Sequence, residues 1–130
     1  MPIHFKVNKE KHQIEAKLSG VVTIAEMLET INKSIQHPDF EPGFNILSDH
    51  CDVEKVITLE QVESTINLLM AYSDRLKKSK WAIVTSKPAS YGMMRLLSVH
   101  AEKIPLLVRV FKDHKTAGRW LASGMSKKSA

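Results

Sequence analysis

The sequence predicts an α/β domain: a five-stranded mixed sheet with about four helices, in the order β-β-α-β-α-β-α-β-α. Three observations carry this. Two N-terminal runs alternate apolar and polar residues, later apolar runs are short and continuous, and the segments between them repeat apolar residues every three to four positions. Strands alternating with helices imply parallel pairing through right-handed crossovers, here after one antiparallel hairpin.

Ile3, Phe5 and Val7 alternate with His4, Lys6 and Asn8. Beyond a polar turn at Lys9-Glu10-Lys11, Ile14, Ala16 and Leu18 alternate with Gln13, Glu15 and Lys17. This is the pattern of a β-hairpin with one apolar face, set near a sheet edge with its polar side in water. Gly20 ends the second strand. Thr23 and Glu26 then form a T-x-x-E capping box ahead of the stripe Ile24, Met27, Leu28, Ile31 and Ile35. His37-Pro38 stops that helix, and Glu41-Pro42-Gly43 makes a turn before a strand over 44–47.

Thr58 with Gln61 opens the next helix, whose stripe Leu59, Val62, Ile66, Leu69, Met70, Ser73 and Leu76 predicts one continuous element. Trp81-Ala82-Ile83-Val84 lacks alternation, as a strand covered on both faces should. Pro88 fits only outside or in the first turn of the following helix, which carries Met93, Leu97, Ala101 and Ile104 on one stripe. A last strand runs over 106–111. Asp113 is then placed to cap a short helix bearing Ala117, Trp120 and Leu121. Residues 1–123 read as a single domain and 124–130 as a polar tail.

A chain of 130 residues, 43% hydrophobic and 25% charged, has the length and composition of one globular core. One cysteine, Cys51, precludes an intramolecular disulfide and fits a reducing compartment. The N-terminus lacks a signal-peptide pattern, and apolar runs such as 104–108 fall far short of the ~20 residues a membrane span needs. The expectation is a soluble, cytoplasmic protein. Its net charge of +5 comes from 19 basic and 14 acidic residues. The excess gathers in 75–80, 109–115 and Lys127-Lys128, where lysines at helix ends also complement helix dipoles. No nucleic-acid reader motif or interleaved aromatic platform accompanies it, so weak nucleic-acid binding through this basic surface stands only as an alternative to the leading reading. The glycines form neither G-x-G-x-x-G, nor a Walker-type loop, nor G-x-S-x-G. No cofactor is expected.

Asp49-His50-Cys51-Asp52 is the densest reactive cluster, at the carboxyl end of the third strand, where open α/β sheets bind ligands. Neighbouring residues of an extended chain point to opposite sides, and no second cysteine or spaced histidine pair completes a metal set. The expected state is a loop with a half-buried thiol, in which Asp49 is the residue to cap a loop or contact a ligand. The competing reading is a small enzyme with Cys51 as nucleophile and a histidine brought near by folding. His100 lies on the apolar stripe of its helix and reads as a hydrogen-bonded core histidine. Arg95 meets either an anion or solvent, and Arg109 marks an edge position open to water, with pairing to a carboxylate as the alternative. Thr58 is an N-cap, with phosphorylation at a positive helix end as the alternative. Met70, Met93 and Met94 either fill the core or line an adaptable apolar pocket.

Three stretches resemble the SpoIIAA-like (STAS-like) family of small bacterial proteins. His37-Pro38-Asp39-Phe40-Glu41-Pro42-Gly43, running into Phe44 to Asp49, is similar to the family's H-P-x-F-x-P-G turn and strand ending in Asp. Tyr91-Gly92-Met93-Met94-Arg95 is similar to its Y-G-x-x-R helix start. Val110-Phe111-Lys112-Asp113, with Ala117, Trp120 and Leu121, is similar to its ending. The resemblance implies the element order above. It also implies kinship with anti-sigma-factor antagonists, which act by protein contact, and with CRAL-TRIO-type lipid carriers. Phospho-switch members carry D-S-[ST]-G where this chain reads Lys55-Val56-Ile57-Thr58-Leu59, so the resemblance does not carry their switch over.

The functional expectation is a non-enzymatic binding or regulatory domain that acts through a protein partner or a small, lipid-like ligand, with a homodimer as one form of partner. Asp49, Thr85, Ser86, Tyr91, Arg95 and Asp113 are expected to gather near one end of the sheet.

Overall fold

In the computed structural model, which describes residues 2–123, the hairpin forms as its alternation requires. Strands β1 (Ile3–Asn8) and β2 (Gln13–Gly20) pair antiparallel, with Ile3 opposite Leu18, Phe5 opposite Ala16 and Val7 opposite Ile14. That register places every apolar residue of the pair on one face. In the connecting turn His12 adopts a φ of 55°, a left-handed conformation uncommon outside glycine. Its ring stacks on Phe44 with centroids 5.1 Å apart, and its carbonyl accepts the Asn45 N–H at 2.9 Å.

Strands β3 (Asn45–Val53), β4 (Lys80–Val84) and β5 (Leu107–Phe111) complete a sheet of order β1-β2-β3-β4-β5, parallel from β2 onward. The helices are α1 (Ile24–Ile35), α2 (Leu59–Ala71), a short α3 (Ser73–Leu76), α4 (Pro88–His100) and α5 (His114–Ala122); one turn of 3-10 helix follows α4. The sheet is mixed and the class α/β, as predicted. The capping boxes of Thr23 with Glu26 and Thr58 with Gln61 both form.

Helices α1, α2 and α4 bury Met27, Ile35, Val62, Ile66, Leu69, Met94 and Leu97 on one face of the sheet. On the other face α5 packs Ala117, Trp120 and Leu121 against Ala82, Val84 and Phe111. Strand β4 lies between these layers and is buried along its whole length, which explains its lack of alternation. Lys80 is buried too. Its ammonium donates to the Trp120 carbonyl at 2.7 Å and to the Ser123 carbonyl, and lies 5.2 Å from the Trp120 ring. It thereby satisfies the carbonyl end of α5, where a cation also complements the helix dipole.

The structure corrects two expectations. The stripe from Leu59 to Leu76 is not one helix: it breaks at Tyr72, whose hydroxyl is tied to α1 through Asn32 and Gln36, while the Ser73 hydroxyl bonds back to the Met70 carbonyl. Leu59 and Met70 are 46% exposed rather than core. The segment 49–52 is not a loop. Strand β3 runs on to Val53, because β2 pairs with it from Asn45 to Val53 with one irregularity after Lys17. The tail at 124–130 lies outside the described residues.

Candidate functional site

Extending β3 through 49–52 decides which of its polar side chains share a face. Ser48 and His50 point toward α1, α2 and α4; Asp49 and Cys51 point toward α5. On the first face Trp81 of β4 reaches Ser48, its indole Nε1–H donating to Oγ at 2.8 Å. Ser48 Oγ and His50 Nε2 are 2.9 Å apart. All three residues are buried, and burial pushes the His50 pKa down from 6.5 to about 4 against a small opposing pull from Asp49. The imidazole is therefore neutral at pH 7.

This cluster forms one wall of a cavity of about 80 Å³ between the sheet and its three helices. The rest of the wall is almost wholly apolar, including Ile14, Leu18, Met27, Ile46, Met94 and Leu97. Toward β1 and α1 the lining side chains Ile3, Phe5, Thr30 and Ile31 are themselves partly exposed, so this side faces solvent. His50 is the one ionisable side chain in the wall among the described residues. Thr65 of α2 also lines the cavity; its hydroxyl is buried without a hydrogen-bond partner.

The second face carries a different set of groups. Asp49 accepts the Cys51 N–H at 2.9 Å through Oδ1 and meets His114 Nε2 at 2.9 Å through Oδ2. Burial pushes its carboxyl up, but the hydrogen bonds from Cys51 and His114 outweigh that and hold it below the usual carboxylate range. Lys17 pairs with Asp52 at 3.1 Å, which raises the lysine pKa. Asp49, His114 and Lys17, with Lys6, Glu15 and Leu47, line a shallow groove on the part of the sheet that α5 leaves open. The Cys51 thiol has the Val84 carbonyl at 4.0 Å as its partner, and the adjacent His50 is on the opposite side of the sheet.

The remaining sequence candidates lie near the same end of the sheet without converging. Thr85 follows β4, fully buried, its N–H given to the Phe111 carbonyl at 2.9 Å and its hydroxyl unpartnered. Ser86 is exposed in the loop beyond. Tyr91 and Arg95, on α4, flank a polar recess against β5, with the Lys112 ammonium 5.2 Å from the Tyr91 ring. Asp113 caps α5, accepting the Thr116 N–H and hydroxyl at 2.8 Å each; the N–H bond leads in lowering its pKa. Thr58 accepts the Gln61 N–H at 3.1 Å. Because strand order runs 1 to 5 without reversal, there is no switch-point crevice to draw these residues together.

His100 is only half-buried, in the last turn of α4; the core histidine is His50. Arg109 does occupy an exposed edge position, its guanidinium over the rings of Phe111 and Trp120 at 5.4 and 5.7 Å. The Ser48–His50–Trp81 cluster and Thr65 escaped the sequence reading. The available signal was the two-residue spacing of Ser48 and His50, visible once the strand is carried past Leu47. Among the described residues no group of three or more His, Cys, Asp or Glu side chains is arranged to hold a metal. No described helix is long and apolar enough to cross a membrane.

A crystal structure of an uncharacterized protein of the DUF3478 family, from Shewanella loihica PV-4 and with a SpoIIAA-like fold, is similar to this chain. The TM-score is 0.63 at 18% identity, over 92% of this chain and 94% of that one. No family profile and no curated protein matches the sequence. The likeness extends over nearly the whole of both chains, and this chain has a SpoIIAA-like fold.

Proposed function

We propose that the chain is a non-enzymatic binding module that takes a small, mainly apolar ligand into the cavity between the sheet and α1, α2 and α4. The observation that carries this reading is the cavity wall: mostly apolar, with a convergent buried cluster of Ser48, His50 and Trp81 and a few hydroxyls such as that of Thr65, the composition of a small-molecule pocket. The placement of Cys51, with a carbonyl rather than an imidazole at its sulfur, supports a binding role over a nucleophilic one. The test is an NMR screen of 15N-labelled protein against small hydrocarbons, ketones, esters and alcohols, followed at the Trp81 indole N–H. Saturable shifts of that resonance, with a raised melting temperature, are expected. A panel that leaves Trp81 unmoved refutes the reading.

A second reading, contact with a protein partner, is favoured by Val21, Val56 and Leu59, which are 49%, 40% and 46% exposed. The segments bearing them are joined where Glu54 N–H meets the Gly20 carbonyl and Gln61 Nε2 meets the Val22 carbonyl. Apolar side chains grouped in this way mark interaction surfaces. Sedimentation velocity tests the simplest partner, a second copy. Self-association that Leu59→Ser abolishes supports this reading, and a monomer at all concentrations removes a second copy as the partner.

A further inference from the structure

A tryptophan indole is a donor only, a serine hydroxyl is one donor and two acceptors, and a neutral imidazole is one donor and one acceptor. Trp81 therefore gives its hydrogen to Ser48 Oγ, and Ser48 and His50 Nε2 share one hydrogen between them. If serine supplies it, His50 keeps its proton on Nδ1. If histidine supplies it, the serine hydroxyl hydrogen is left over. In both cases one donor remains that neither bond uses, and no other hydrogen bond links these three side chains to the described protein. Thr65, 1% exposed on the same cavity, adds a hydroxyl that no protein group meets.

The wall holds no lysine or arginine. An anion there would be buried without a counter-charge, which is strongly unfavourable. The nearest carboxylate along the strand, Asp49, disfavours it further. An uncharged oxygen acceptor has no such penalty and answers the unused donor. Size is bounded as well: an apolar cavity of about 150 Å³ takes benzene, and this one measures about 80 Å³ with a partly exposed rim.

We propose, building on the binding role above, that the ligand is an uncharged carbonyl compound with about three non-hydrogen atoms in its buried part. Its oxygen accepts the free donor of the Trp81–Ser48–His50 cluster, and its hydrocarbon part fills the apolar remainder. A ketone, an aldehyde and an ester share this chemistry.

The experiment titrates the labelled protein with three probes of matched shape: 2-butanone, 2-methyl-1-butene, which replaces the oxygen by a methylene, and propionate. In a purely apolar cavity the alkene wins, because it gains more on leaving water. Here 2-butanone is expected to bind at least as tightly as the alkene and more tightly than propionate. His50→Phe should lower the ketone-to-alkene affinity ratio about tenfold, the effect of one lost hydrogen bond. Ser48→Ala serves as the second variant should His50→Phe not fold, and the wild-type ordering stands independently of both. Tighter binding of the alkene or of propionate, or a ratio unmoved by the variants, overturns the carbonyl assignment and leaves the binding role intact. Failure of all three probes to bind overturns both.

Discussion

Acidification should weaken the fold through one residue, and the size of the effect follows from its burial. His50 is held neutral in the core, its pKa pushed from 6.5 to about 4 by loss of solvent. Below pH 6.5 the unfolded chain takes up a proton at this site while the native protein does not. The native state is then disfavoured progressively until pH falls through the folded value, where it protonates as well. At 1.36 kcal/mol for each pH unit between the two values, the full loss is about 3 kcal/mol, and about 2 kcal/mol is already gone at pH 5. The carboxylates held below their ordinary range, Asp49 and Asp113, remain ionised at pH 5 and contribute little there. Urea unfolding at pH 7.5 and 5.0, on the wild type and on His50→Phe, isolates the term. The variant keeps every other titrating group, so its stability should fall about 2 kcal/mol less between the two pH values than the wild type does. Equal pH dependence in the two proteins refutes the reasoning, as does an NMR titration in which the His50 ring protonates near pH 6.5.

Three further substitutions probe the surrounding framework. Thr65→Val removes a buried hydroxyl that has no partner and should raise stability by about 1 kcal/mol in denaturant unfolding. Thr58→Ala deletes the side-chain acceptor at the start of α2 and should cost about 1 kcal/mol, whereas Thr58→Asp, which still caps, should recover most of it. Lys80→Met leaves the carbonyl end of α5 without its buried donor and should cost about 2 kcal/mol, with the loss visible first as faster amide exchange in α5.

The fold was legible because its elements announce themselves locally. Alternation in 3–18, two capping boxes, Pro88 at a helix start and Asp113 as a cap each need only a few neighbouring residues to be recognised. The errors fell where a long-range contact overrides the local pattern. Tyr72 breaks an otherwise helical stripe because its hydroxyl bonds residues 36 and 40 positions away on α1. Strand β3 continues through Ser48, Asp49, His50 and Asp52, polar residues that hide a strand, because β2 supplies a parallel partner along its length. That single misreading concealed the candidate site. With a strand ending at Leu47, His50 belongs to a loop beside Cys51; with one ending at Val53, it lies under the helices with Ser48. The indole of Trp81 and the hydroxyl of Thr65 join it only through crossovers, which no spacing in the chain encodes.

Whether the ligand occupies this cavity is tested by one substitution that narrows it. Ala16 of β2 lies beside Ser48 in the parallel register and lines the cavity. Valine there adds two carbon atoms to the empty space and suits a strand. Burying them is worth about 1.6 kcal/mol by transfer, and filling the whole of about 80 Å³ would recover about 2 kcal/mol at 24 cal/mol per Å³. Partial filling should therefore stabilise Ala16→Val by about 1 kcal/mol. If the space serves a ligand, the same change must also end the Trp81 response to 2-butanone, because the methyl groups and the ligand compete for one volume. A variant that gains stability and binds as before places the ligand elsewhere. A variant that loses stability shows that valine is overpacked at this position and that the cavity does not extend to it. Gained stability together with lost binding places the ligand in this cavity, because the added methyl groups then exclude it from the volume they fill.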